Sequence, residues 1–377
     1  MTKAESKPDH DIIIVGAGIA GCYLTEKLTE AGLDVLVLEK EKSKLKSRSE
    51  GTETRLKDDS GIVSTHIEKF IPDYKKFLTD KIKEMRFESP SHHEFCLKSE
   101  QPFAYLLDRT KLIKEKRKSI KSVLSYETPE SIIITKDKVM VKTNENWHMA
   151  SMIIGCDGAF SKVRNAMRVP SPKICYGVTA KSKSKNDKIT VYVNKNFSPD
   201  FFSWNIPQRN EWGMITAKNP KDYFLKFMAE MKLEKKQPTG QPIPIGTTKS
   251  FANRCLLVGD SAGMTKPLTG GGWIFSLRAC EHAARVIAGC LEKNRFDASV
   301  LSEYEKSWKN DFGNEIRKQL FARRLYEKLN NKDIDKLFKE FGPRIEKLND
   351  FDYDNLSILL KHMPKTKLLG LAMRKLI

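Results

Sequence analysis

The sequence predicts an α/β fold: a Rossmann-type dinucleotide-binding domain, an antiparallel β-sheet substrate domain and a helical C-terminal tail. Three observations predict it. An apolar run, a glycine cluster, a helical segment, a second apolar run and an acid follow one another up to Glu39. Residues 175–217 form several apolar segments separated by polar turns, as antiparallel strands do. Beyond residue 296 the pattern is helical. The expected boundaries are 1–170 with 251–295 for the discontinuous nucleotide domain, 171–250 with parts of 61–105 for the sheet domain, and 296–377 for the helical region.

The first unit explains itself physically. Residues 11–15 (DIIIV) are apolar and rich in β-branched side chains, which suits a buried parallel strand. Gly16, Ala17, Gly18 and Gly21 follow at once. Gly16 allows a tight turn, Gly18 admits a pyrophosphate to the backbone, and Gly21 permits close packing of helix on strand. The helix over 19–31 then directs its N-terminal amides at the phosphates, and Gly32 stops it. A second strand, 34–38, ends at Glu39, whose carboxylate suits a ribose 2′-OH and would repel a 2′-phosphate.

The remaining elements follow in order. A helix is expected over 64–85, with short strands up to residue 100, and 111–121 reads as a basic helix. Residues 131–135, 138–143 and 148–155 alternate like strands, and the last leads into Asp157. An amphipathic helix over 220–233 and a strand within 240–250 lead back to the nucleotide domain. A strand at 255–258 enters Gly259, and a long helix spans 273–291.

Three distant segments then read as one site: Gly16 to Gly21, the stretch Cys156 to Arg164 containing Asp157 and Gly158, and the stretch Gly259 to Gly263 containing Asp260. In this order and spacing they resemble the FAD-dependent hydroxylase and reductase superfamily. The resemblance implies FAD as cofactor. It implies that Asp157 and Gly158 complete the site from mid-chain, and that Gly259 and Asp260 complete it late in the chain, with Asp260 touching the ribityl chain or O3′. It also implies that Arg109, in the Asp108-Arg109 pair, faces the pyrophosphate side.

One branch fits best. Aromatic hydroxylases usually carry a histidine where this chain has Gly263. The continuation Lys266-Pro267-Leu268-Thr269-Gly270-Gly271-Gly272 is similar to the geranylgeranyl reductase family, which saturates isoprenoid double bonds. Side chains at the three glycines would collide with the flavin pyrimidine ring. The amides that open the following helix suit negative charge at flavin N1. Pro199 to Pro207 matches the family's Tyr-x-Trp-x-Phe-Pro spacing, with Phe202 and Ile206 as departures. Alternation puts Phe202, Trp204 and Ile206 on one face, either as core packing or as the wall of an isoprenoid tunnel. Two further departures stand out. The family's cysteine near the end of the first unit is absent from residues 58–64, so if a thiol donates the proton in relatives this chain uses another source, water being one, and no general acid is evident. Trp273 replaces a small or aliphatic residue, and either narrows the pocket or packs under the flavin.

Composition sets bounds. A chain of 377 residues can bury a large core. No run of eighteen apolar residues is present, and the polar N-terminus is unlike a secretory signal. Seven scattered cysteines without Cys-x-x-Cys read as buried thiols in a reducing cytoplasm, with no metal site. The net charge of +19 fits either an anionic membrane surface or a generally basic solvated surface, and no nucleic-acid module is visible. Residues 364–377, basic near both ends and apolar between, suit either an interfacial segment or a helix docked on the domain.

The resemblance implies an isoprenoid lipid substrate, with hydride delivered from reduced FAD. The electron donor stays open among ferredoxin, NAD(P)H and a deazaflavin, because no second nucleotide fingerprint is present. A flavin monooxygenase and a non-catalytic lipid carrier share the same cofactor motifs and remain alternatives.

Overall fold

The computed structural model describes residues 8–40, 60–184, 186–234, 238–348 and 351–358. In chain order the elements are β1 (His10–Val15), α1 (Ile19–Glu30), β2 (Val35–Leu38), β3 (Ile62–Ser64), β4 (Leu78–Ile82), β5 (Glu84–Glu88), β6 (Glu94–Lys98), β7 (Ala104–Leu107) and α2 (Arg109–Ser119). There follow β8 (Leu124–Ser125), β9 (Pro129–Ile134), β10 (Val139–Thr143), β11 (Trp147–Gly155), α3 (Lys162–Ala166), β12 (Lys173–Lys181), β13 (Thr190–Tyr192), β14 (Ser203–Ile206), β15 (Glu211–Thr216) and α4 (Pro220–Glu230). The last are β16 (Thr239–Ile245), β17 (Phe251–Ala252), β18 (Cys255–Leu257), α5 (Trp273–Glu292), α6 (Ala298–Trp308), α7 (Asn314–Glu327) and α8 (Asn331–Ile345).

The first sheet runs β17-β18-β11-β1-β2-β8, with β10 and β9 branching from β11. Its centre is parallel: β1 pairs with β2 through Ile12↔Val35 and with β11 through Ile13↔Ile153. Ile12, Ile13 and Ile14 have no exposed surface, which is why this strand reads as an unbroken apolar run. The thiol of Cys280 in α5 meets the Ala20 carbonyl of α1 at 3.4 Å, so two glycine-led helices lie side by side.

The second sheet runs β16-β12-β15-β14-β13-β5-β6 and is antiparallel except for the β13–β5 pair. Alternation divides its side chains between two environments. Val178, Ala180, Trp212 and Met214 pack with Phe224 and Phe227 of α4, while Trp204, Ile206 and Ile215 belong to a separate cluster on the other face. A third, small sheet runs β3-β7-β4.

The helix expected over 64–85 is not formed. Two short 3-10 turns, Thr65–Lys69 and Tyr74–Phe77, flank Pro72, and β4 and β5 follow. Proline removes an amide and disfavours helical geometry in the residue before it, and at Pro72 the helical path is broken between the two turns. Met85 and Phe87 then share the face that β5 contributes to the second sheet's cavity.

From Ala298 to Ile345 the chain is helical except for a short link before α8, with one π-helical turn (Lys309–Gly313) between α6 and α7. Tyr304 of α6 donates to the Leu257 carbonyl at 2.9 Å and Trp308 to Ser250 Oγ at 2.9 Å, which pins these helices to the first sheet. Among the described residues no helix is long and apolar enough to cross a membrane. Residues 364–377 and most of the basic stretch 40–57 lie outside the described residues.

Candidate functional site

The glycine loop is closed below and open above. Gly16 adopts φ +101°, and a Cβ there would lie 2.5 Å from the Cys156 carbonyl oxygen. A Cβ on Gly21 would lie 1.9 Å from the Gly16 oxygen, so helix and strand touch through glycine alone. At Gly18 a Cβ would meet nothing within 4 Å. That opening is where the α1 amides point, since Gly18 caps α1 with no side-chain bond to them.

Glu39 is buried behind the loop. Its Oε2 accepts from the Ala17 amide at 2.8 Å and from Arg117 Nη2 at 2.9 Å, and Arg117 Nε donates to the Ala17 carbonyl at 2.9 Å. Arg117 thus binds both the acid and the loop between its glycines. The sequence reading placed it only within a basic helix. Its signal was a charged residue one turn after the buried Ile113, on the apolar face of α2.

The Asp157–Gly158 segment lies directly under Gly16, whose Cβ would be 3.0 Å from the Asp157 Cα. Asp157 Oδ2 accepts from the amides of Lys162 at 2.7 Å and Val163 at 3.2 Å, so the carboxylate anchors α3. Its Oδ1 is buried without a hydrogen-bond partner among the described residues. Burial raises the Asp157 carboxyl above its usual range despite these bonds.

Asp260 and the run Pro267, Gly270, Gly271, Gly272 and Trp273 line one cavity of about 480 Å³. The three glycines answer first to the protein's own packing. A Cβ on Gly270 (φ +78°) would sit 3.2 Å from Ile243, one on Gly271 3.3 Å from Lys266 Cε, and one on Gly272 3.0 Å from Asp260 Oδ1. Gly272 caps α5 without a side-chain bond, so a second helix N-terminus opens here, at the mouth of the cavity's polar end. Gly259 takes φ +73°, with Ser276 Oγ 2.8 Å from where its Cβ would be.

Arg109 is placed at this end of the cavity. Its guanidinium lies 4.3 Å from the Trp273 ring and donates to the Ile62 carbonyl at 2.6 Å. The glycine loop's arginine is Arg117. Lys266 is buried below Gly271 and pairs with Asp354 at 2.9 Å, while its ammonium also meets the Tyr353 carbonyl at 3.0 Å. Asp354 accepts in turn from His66 at 3.1 Å. Burial alone would raise the Asp354 carboxyl, but the Lys266 charge and the His66 hydrogen bond outweigh it and hold it well below its usual range. His66, Asp352 and Asp354 bring ligand-type atoms within 4.8 Å of one another, with Asp354 already engaged by Lys266.

The apolar end of the cavity uses one face of every strand in the second sheet. Phe202, Trp204 and Ile206 all face it. Trp204 Nε1 donates to the fully buried Glu211 at 3.1 Å, and Glu211 also pairs with Lys181 at 3.1 Å. Sequence reasoning missed Arg323 of α7, buried beside Pro267: it donates to the Pro267 carbonyl at 3.3 Å and covers the Phe201 ring at 3.9 Å.

The residues present fit an FAD. Two capless helix N-termini, an open cradle at Gly18 and a cavity that begins at the triple glycine are what a flavin, pyrophosphate and adenosine need. Fold and cradle together define a class, the Rossmann-type flavoprotein fold. The profile of an NAD(P)-binding Rossmann-like domain matches residues 14–44. The chain is 26% identical over 376 residues to an uncharacterized protein of Methanocaldococcus jannaschii, covering 93% of this chain and 92% of that one. It is 24% identical over 369 residues to digeranylgeranylglycerophospholipid reductase 1 of Methanococcoides burtonii, covering 88% and 87%. Among solved structures, a geranylgeranyl bacteriochlorophyll reductase-like protein from Thermoplasma acidophilum superposes with TM-score 0.79 at 19% identity, covering 96% of this chain and 99% of that one. A variant of halogenase PltM in complex with FAD superposes with TM-score 0.62 at 16% identity, covering 89% and 85%.

Proposed function

We propose that this chain is an FAD-dependent reductase that saturates C=C bonds of geranylgeranyl chains on archaeal-type phospholipids. The observation that carries the reading is the cavity. It starts at the triple glycine and Trp273 and continues across all seven strands of the second sheet, mostly between apolar side chains. An elongated apolar space ending at a flavin cradle suits a long hydrocarbon with a reducible bond. The likeness to a curated digeranylgeranylglycerophospholipid reductase supports the same substrate class.

The assigned residues divide the work. Gly16, Ala17, Gly18 and Gly21, with Glu39 behind them, would hold the dinucleotide, and Asp157 and Gly158 would support it from below. Gly259, Asp260, Pro267, Gly270, Gly271, Gly272, Trp273 and Arg109 would border the flavin. When bound and reduced, FAD would supply a hydride equivalent to one alkene carbon, and a proton from solvent would complete the other. An isolated alkene is a poor hydride acceptor, so alignment matters greatly. Phe202, Trp204 and Ile206 hold the chain against the sheet and exclude water. Tyr353, whose phenol burial pushes up to about 12, lines the same cavity and keeps its proton at neutral pH.

The basic surface, net +19, would meet an anionic membrane that supplies the lipid. The deciding experiment incubates dithionite-reduced protein with geranylgeranyl phospholipid without oxygen. Mass spectrometry should show gains of two hydrogens per reduced bond. Hydroxylated product that forms only with oxygen would replace this reading with a monooxygenase.

A further inference from the structure

The cavity has a far end with its own construction. It crosses the second sheet from β15, whose Ile215 lies against Gly270, to the edge strand β6. Four interstrand steps separate β15 from β6, which makes the span about 19 Å at about 4.8 Å per step. At that edge stand three phenylalanines. Phe87 of β5 and Phe95 of β6 stack with centroids 4.9 Å apart and planes at 9°. Phe338 of α8 tilts against Phe95 at 5.0 Å and 49°. All three line the cavity.

The helix that carries Phe338 is fastened near both ends to the β5–β6 hairpin. Asp335 accepts from Ser89 Oγ at 2.6 Å, from the Ser91 amide at 2.9 Å and from Ser91 Oγ at 2.8 Å. Glu346, just past α8, accepts from the Cys96 amide at 2.9 Å. Between them Gly342 lets the helix backbone close on the sheet, since a Cβ there would lie 3.2 Å from Phe95 Cβ. The Phe338 ring is therefore held by the hairpin it helps to cover.

We propose that Phe87, Phe95 and Phe338 form a stopper that sets the length of apolar chain the cavity accepts. The isoprenoid identity of that chain rests on the proposed function; the gauge itself acts on any linear hydrocarbon. In a close-packed pocket a single extra methylene already changes selection by about 10- to 200-fold. A further isoprene unit adds five carbons and cannot fit unless a fastened ring moves. Phe338 is the ring whose removal extends the cavity without touching the sheet.

The test uses the full FAD-loaded chain and prenyl alcohols of three, four and five isoprene units, read by native mass spectrometry. The wild type should bind the four-unit alcohol at least about tenfold better than the five-unit one. Phe338→Ala should bring the five-unit alcohol within about threefold of the four-unit one, with Phe338→Leu between the two. Hydrogen exchange over 331–345 reports whether α8 stays docked. If Phe338→Ala loosens it, Phe95→Leu is read in its place. An unchanged length profile with α8 docked, or equal weakening at every length, would overturn the stopper. Turnover is scored separately. A wild type that binds these alcohols by length but reduces no geranylgeranyl lipid removes the proposed function and leaves the gauge standing.

Discussion

Trp204 lies flat on Gly213 of the neighbouring strand: a Cβ built on the glycine would be 2.3 Å from the indole Cζ2. The pair sits opposite in register, Trp204↔Gly213, so the large ring occupies the place of its partner's missing side chain. Glu211, two residues before Gly213 on the same strand, holds the ring's N–H. The indole is thereby fixed as a wall of the cavity. Gly213→Ala should displace it and cost about 1–3 kcal/mol of stability through overpacking. FAD content should be unchanged while alkene reduction falls by about tenfold or more. Trp204→Ala should show the same separation of flavin content from turnover. A parallel loss of both would make Trp204 ordinary core.

The glycine loop offers a sharper contrast. Gly18 faces open space, whereas Gly21 faces the Gly16 oxygen. Gly18→Val should therefore fold normally, with an unchanged thermal midpoint in the apo state, and fail to retain flavin. Gly21→Val should fail to fold. Absorbance of purified protein near the flavin bands reads the first, and solubility with circular dichroism reads the second. A yellow Gly18→Val protein would remove the first loop from the cofactor assignment.

Where the sequence was legible, it was legible for physical reasons. Ile12 to Ile14 gave a parallel strand because both faces are covered, and Phe202, Trp204 and Ile206 shared a face because pleating has a period of two. The region 64–85 misled because lysines and apolar residues mimic a helical period, while Pro72 and the pairing of β4 with β7 and of β5 with β6 decide the structure. Arg117, Arg323, Asp354 and Phe338 reach the site from distant elements. No local pattern marks a side chain whose partner lies 88 positions away, as Asp354 does from Lys266.

The Arg117–Glu39 pair predicts a stability defect. Both side chains are buried, and Arg117→Ala would take the guanidinium charge from the Glu39 carboxylate and leave the Ala17 carbonyl only the weaker Cys22 thiol as donor. Breaking a buried pair on one side costs about 3–5 kcal/mol. Denaturant unfolding should show a loss of that order. Arg117→Ala combined with Glu39→Ala should cost less than the sum of the single changes. Additive losses would mean that the two side chains act independently.

The basic surface predicts reversible vesicle binding. Sedimentation should rise with the fraction of anionic lipid and fall with salt, since each basic residue near such a surface contributes about 1 kcal/mol. Removal of residues 364–377 should weaken it. Equal binding by the truncated protein would take the tail out of the interaction.

The segment over 351–358 is tied to the loop before the triple glycine through Lys266–Asp354–His66, and this tie predicts a pH dependence. The hydrogen bond to Asp354 raises the His66 pKa above its ordinary 6.5, with Asp352 adding to it and burial opposing. A histidine whose folded pKa is raised stabilises the protein fully below its unfolded value, and that contribution is lost as pH rises through the folded value. Asp354 behaves in the opposite sense: its depressed carboxyl contributes above its ordinary 3.8 and is lost as pH falls towards the folded value. His66→Gln keeps a donor at the same place but carries no charge. The wild type should therefore melt above His66→Gln near pH 6, and the two curves should converge as pH rises through the shifted histidine pKa. His66 is 39% exposed, so solvent screening keeps the gap small. Hydrogen exchange over 351–358, compared between the two proteins at each pH, should show the same convergence. A gap that stays constant from about pH 6 to about pH 9 would mean that the His66 charge does not hold this segment in place.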